Sequence, residues 1–158
     1  MKRSRIRRTV IWALLAFAAG LFACASAKAA APTITTTELQ QTIVDTQTCA
    51  FPNTQVFTGT VRTITYPDGR VTQFFTLVGA ITANGNTLTD SDHYSINTRA
   101  NGETKIVGTF IHIVLPGQGL IMIDAGKVAI SATGDLVGFT GRQDQLTGDV
   151  DAFCAALA

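Results

Sequence analysis

Apolar and polar residues alternate through most of this chain, with Val, Ile, Thr and Phe carrying the pattern and no sustained helical period. A two-residue period belongs to strands that bury one face. Six segments carry it: 55–66, 71–83, 87–100, 104–115, 120–131 and 136–142. Between them fall Gly69, Gly85, Gly102, Gly117 and Gly134, spaced 16, 17, 15 and 17 residues apart. Asp68-Gly69, Asn84-Gly85 and Asn101-Gly102 are hairpin dipeptides, and turns repeated at one interval return each strand beside the last. The strands exceed the usual ~5–6 residues, and Gly59, Gly79, Gly108, Gly126 and Gly138 inside them serve as bend points. The pattern predicts an all-β antiparallel up-and-down meander closed into a small β-barrel, with a two-sheet β-sandwich as the alternative. Residues 38–48 read equally as a first strand or a short helix, and 149–157 as a closing helical turn.

The two ends of the chain change the charge picture. Lys2, Arg3, Arg5, Arg7 and Arg8 precede an apolar run over 10–23 and the small-residue sites Ala25-Ser26-Ala27 and Ala27-Lys28-Ala29. This is the layout of an export signal, so residues 1–29 are expected to be a signal peptide, 30–48 an N-terminal linker and first element, and 49–158 the β-barrel domain. Leu21-Phe22-Ala23-Cys24 offers lipidation at Cys24 as a minor alternative, although Phe22 is larger than that pattern favours. The leader holds six of the twelve basic residues, which leaves six against eleven acidic ones. Cleavage after Ala29 therefore gives a net charge of −5, and cleavage after Ala27 gives −4. An acidic chain with no basic stripe argues against a nucleic-acid partner. It leaves membrane attachment to the signal or a lipid on Cys24. The expected location is secreted or in the cell envelope, where the remaining Cys49 and Cys154 are expected to form a disulfide.

Treating each turn as a two-residue or centred loop yields opposed residues that share a face. Arg62 then faces Phe75, Phe75 faces Tyr94, Leu77 faces Asp92, Asp92 faces Ile111, and Ile111 faces Asp124. One face gathers most of the large aliphatics and is the expected interior. Its polar minority is Arg62, Gln73, Asp92, Tyr94 and Asp124. A buried carboxylate is costly unless it is paired or hydrogen-bonded, so Asp124, Asp92, Tyr94 and Arg62 are the ligand-binding candidates for the polar end of a cavity. The other reading of Asp124 is a satisfied structural carboxylate beside Gly126. His93 and His112 fall together on the outer face, but two histidines fall short of the three protein ligands of a catalytic zinc, and no metal is expected. Phe74, Val78, Ile106, Phe110, Ile121 and Ile123 form an outer apolar strip, which suits self-association into a homo-oligomer.

No nucleophile elbow, zinc-binding helix motif, phosphate loop or dinucleotide fingerprint occurs, so no cofactor is expected and catalytic residues stay unassigned. In strand rhythm and length the chain resembles exported small β-barrel proteins of bacteria, with calycin or allene oxide cyclase and dirigent architectures. The leading expectation is binding of a small apolar molecule in a barrel interior. The alternatives are a cofactor-independent isomerase or cyclase using the same cavity, and a structural or adhesive envelope protein.

Overall fold

The structure, a computed structural model, describes residues 30–158. The expected signal peptide, with Cys24, lies outside the described residues. Seven strands follow one another: β1 (Thr33–Asp45), β2 (Asn53–Thr65), β3 (Val71–Ala83), β4 (Asn86–Thr98), β5 (Thr104–Leu115), β6 (Gly119–Ile130) and β7 (Leu136–Gln143). Two short helices, α1 (Asp144–Thr147) and α2 (Asp151–Leu157), end the chain. All strands belong to one sheet in chain order, each antiparallel to the next. The all-β meander therefore stands.

Closure does not. Among the described residues β1 and β7 each pair on one side only, so the sheet is not joined into a barrel, and no second sheet makes a sandwich. Ile34 and Val44 point to one face of β1 and Leu39 and Ile43 to the other, so neither face of the strand carries a continuous apolar stripe. Residues 33–37, expected as linker, are the first part of β1; the β-branched run Thr33-Ile34-Thr35-Thr36-Thr37 favours extended backbone.

The turns fix the register. Asn84 (φ 49°) and Gly85 (φ 85°) form a two-residue turn with both residues left-handed, and Phe75 meets Tyr94 as expected. The β2–β3, β4–β5 and β6–β7 hairpins are built differently. Gly69, Gly102 and Gly134 donate to Tyr66, Arg99 and Ser131, and a second bond closes each loop from Tyr66 to Arg70, Arg99 to Glu103 and Ser131 to Asp135. These are three-residue loops with a left-handed glycine last. In β2–β3 the extra residue moves the pairing by one, so Val61 faces Phe75, and Arg62 faces Phe74.

The core sits at one end of the sheet. Phe153 and Leu157 of α2 pack with Ile81, Leu88, Ile113 and Met122, all buried. Cys49 and Cys154 form the expected disulfide across 105 residues, with their Cα atoms 5.6 Å apart. Asn84 Nδ2 donates to the Leu157 carbonyl at 3.1 Å and ties the β3–β4 turn to the chain end. Asp45 accepts from the Gln47 and Thr48 amides at 2.8 and 3.2 Å, shaping the loop that carries Cys49. This end of the molecule is plugged.

Farther from the plug, Val61, Leu77 and Val128 are buried on three separate strands with no helix or second sheet above them. The sheet shields them by curling. A row of glycines permits it: Gly108 pairs with Gly126, and Gly126 with Gly141. Gly126 has φ 128°, and a Cβ there would meet the Thr140 carbonyl and lie 2.9 Å from Gly141 Cα. Gly126→Ala is expected to lower stability by about 2 kcal/mol or more. Gly138→Ala, where a Cβ would meet nothing within 4 Å, should cost far less, and paired thermal melts check the contrast.

Candidate functional site

The inward face of β4 carries Leu88, Asp90, Asp92, Tyr94 and Ile96 in sequence, because alternate strand residues share a face. Tyr94 stacks on Phe75 with ring centroids 4.6 Å apart and planes at 6°. Phe110 meets Tyr94 edge-on at 6.3 Å. Phe110 was expected on the outer strip. It is instead the extra residue of a β5 bulge, between Thr109 opposite Ala125 and Ile111 opposite Asp124, and it points inward. Ile106 is also inward, opposite Ile96 and Val128. Of the rest of that strip, Phe74 and Val78 are exposed, while Ile121 packs against the core.

Asp90 and Asp92 are both buried, at 6% and 5% exposure. The His112 amide donates to Asp90 Oδ1 at 3.0 Å. Asp92 Oδ1 has no hydrogen-bond partner. Burial first, and then the charge of Asp90, push the Asp92 carboxyl up to about 8. Tyr94 is raised as well, by burial and by the neighbouring Asp92. Asp92 is thus a carboxyl pushed toward its protonated form, opposite Leu77 and two residues along the strand from Tyr94.

Asp124 has a different part. It is buried, and its Oδ1 accepts the Gln145 amide at 3.0 Å. Burial raises its pKa above the ordinary carboxylate value. Next to it, Asp144 accepts the Ile123 amide at 3.0 Å and Arg142 Nε at 2.7 Å, and the Arg142 bond holds Asp144 low. The two carboxyls fasten α1 to β6, and the Gln145 amide is a partner of the kind the structural reading of Asp124 calls for. Arg62 is exposed on the opposite face and does not join Asp92 and Tyr94. Of the four candidates the structure brings together Asp92 and Tyr94 only. His93 is exposed, and His112 Nδ1 lies 3.1 Å from Ser91 Oγ. Among the described residues no three His, Cys, Asp or Glu side chains converge.

A cavity lies elsewhere, at the end away from the plug. Its volume is about 380 Å³. Val71, Ala129, Ile130 and Val137 give it an apolar wall, Asn97, Thr98 and Thr104 add polar groups, and Arg70, Arg99, Glu103 and Lys105 ring it. Arg70 pairs with Asp68, and Arg99 with Glu103, each at 2.7 Å and each exposed, so these pairs add little stability. None of the four sequence candidates lines this space. The signal was present in the turn rhythm: alternate turns of a meander lie at one end, so Gly69, Gly102 and Gly134 gather their flanking residues there.

These features define an all-β domain: a curled seven-stranded meander, plugged at one end by a disulfide-tied helix and open at the other. Comparison with protein-family models, curated proteins and solved structures gave no match. Among the described residues no helix is long and apolar enough to cross a membrane.

Proposed function

We propose that this chain is an exported binding module that takes a small, largely apolar molecule at the open end of its curled sheet. The carrying observation is the cavity of about 380 Å³ with Val71, Ala129, Ile130 and Val137 on its wall and Thr98, Thr104 and Lys105 at its polar side. That size lies within the ~300–1,000 Å³ range of small-molecule sites, and a mostly apolar lining with a few polar groups is their usual chemistry.

Native mass spectrometry of the protein recovered from expressing cells, together with titration of the fluorescent probe anilinonaphthalene sulfonate, tests the proposal. A co-purified small mass or saturable probe uptake is expected. Val137 is the extra residue of a β7 bulge, 70% exposed at the cavity wall, so Val137→Trp should fill the cavity with little cost to the fold and reduce uptake at least tenfold. Phe74→Trp on the outer face should leave uptake unchanged. Failure of both mass and probe, or equal uptake by Val137→Trp, overturns the proposal.

A second reading rests on Asp92. A protonated carboxyl beside Tyr94 in an apolar setting is the arrangement by which enzymes keep a general acid ready at neutral pH. A cofactor-free isomerase or cyclase would use it, and such activity should vanish in Asp92→Asn while the fold is retained.

A further inference from the structure

The outer edge of β1 is an unguarded pairing surface. It is thirteen residues long, paired with β2 without a break from Thr33 opposite Thr65 to Asp45 opposite Asn53. Alternate residues of an edge strand present N–H and C=O groups away from the sheet, ready to bond another strand. Proteins usually blunt such edges with Pro, Lys, bulges or short strands. β1 has none of these: its sequence is TITTTELQQTIVD, with Glu38 and Asp45 as the charges. The other edge is guarded. β7 has eight residues, contains Gly138 and Gly141, carries Arg142, and is bulged where it meets Ile130. Along β1, Ile34, Ile43 and Val44 are 54%, 38% and 62% exposed.

We propose that β1 pairs with β1 of a second copy of this chain, antiparallel and two-fold symmetric about Leu39, extending the two meanders into one continuous sheet. The self-complementarity of the strand selects this occupant and this register. With Leu39 opposite Leu39, all thirteen residues overlap, Ile34 meets Val44 of the second copy, and Glu38 meets Gln40. A two-fold at Glu38 would set two glutamates directly opposite each other. A two-fold at Gln40 would shorten the overlap and set Ile43 and Val44 against threonines. Cross-strand pairing favours apolar opposite apolar and penalises like charges, so the Leu39 register wins. The inward faces also match, because odd residues meet odd residues and the pleat continues.

The test needs no ligand. Glu38 and Gln40 are both exposed on the outer face. Gln40→Glu places a new carboxylate against Glu38 of the second copy, twice per dimer by symmetry. Gln40→Lys places an ammonium there instead. Sedimentation equilibrium of the purified protein should show a concentration-dependent dimer, weakened roughly fivefold by Gln40→Glu and strengthened by a similar factor by Gln40→Lys. The register has its own readout. Directly opposed residues lie ~4.5–5.5 Å apart at Cα, within disulfide reach, so Leu39→Cys should give a reducible covalent dimer. Val44→Cys, at a more exposed position, should not, since its opposite is Ile34. A monomer at every concentration, shifts of the same sign for both Gln40 variants, or crosslinking at position 44 in place of 39 would each overturn the proposal.

Discussion

Reduction of the Cys49–Cys154 disulfide is expected to lower the unfolding free energy by several kcal/mol. The bridge closes a loop spanning 105 residues. A loop of that size restricts the unfolded chain by about 4.7 kcal/mol in the entropy treatment, and measured values for disulfides range from ~0 to 5 kcal/mol. The folded side adds to the effect. α2 has seven residues, too few to be helical alone, yet it delivers Phe153 and Leu157 to the plug at 2% and 0% exposure. Without the bridge, Asn84 and side-chain packing are left to hold it. The Cys49→Ala, Cys154→Ala double variant and the reduced wild-type protein should both unfold at clearly lower urea than the oxidised protein. A midpoint unchanged by reductant would show that the plug, not the bridge, carries the stability.

The second large effect is a stability that falls as pH rises, traced to Asp92. Its carboxyl titrates near 8 in the folded protein, against an ordinary value of 3.8. The folded state therefore binds a proton that the unfolded state has released between these limits. That contribution is fully present below about pH 4 and is lost as pH rises through 8. The slope within the window approaches about 1.4 kcal/mol per pH unit. Asp92→Asn replaces the carboxyl by a neutral group of the same shape and should flatten the profile. Asp124 is raised too and Asp144 is lowered, so the wild-type curve is a composite. The difference between wild type and Asp92→Asn, measured by denaturant titration at pH 5 and pH 8, reports the titration of the Asp90–Asp92 pair. A variant that tracks the wild type across this range would remove Asp92 from the account.

Most of the meander was readable because its turns are local events. β3 and β5 begin and end where the alternation begins and ends, and Leu77 faces Asp92 as the Asn84-Gly85 turn requires. The errors come from single residues. Asp68-Gly69 and Asn101-Gly102 look like two-residue turns, but each belongs to a loop of three, and the slip carried Arg62 to the wrong face. Between β5 and β6 a one-residue slip at the Leu115–Gly119 turn is cancelled by the extra residue Ile121, so Ile111 still meets Asp124. A bulge leaves no mark in the alternation strong enough to locate it beforehand. Asp92 and Tyr94 were within reach because they sit on the strand with the best-defined turn. The cavity was not, because its walls come from residues flanking three separated loops. Barrel closure lay beyond local pattern altogether, since it depends on whether two strands about a hundred residues apart meet.

The position of Cys49 divides the molecule in a way that bears on force. β2 through β7 lie inside the covalent ring closed by Cys49 and Cys154, and β1 lies outside it. Tension on the N-terminus, of the kind a tether there transmits, reaches the Thr33 end of β1 first and opens its ladder with β2 one pair at a time. Peeling proceeds to Cys49 and then halts at a covalent stop, having released ~55 Å of chain at ~3.4 Å per residue. With the opposing force at the C-terminus, load passes from Cys49 through the bridge to Cys154, and the six strands and the cavity inside the ring carry none of it. β1 is the strand that such tension would unravel, and the bridge is the point at which unravelling would stop.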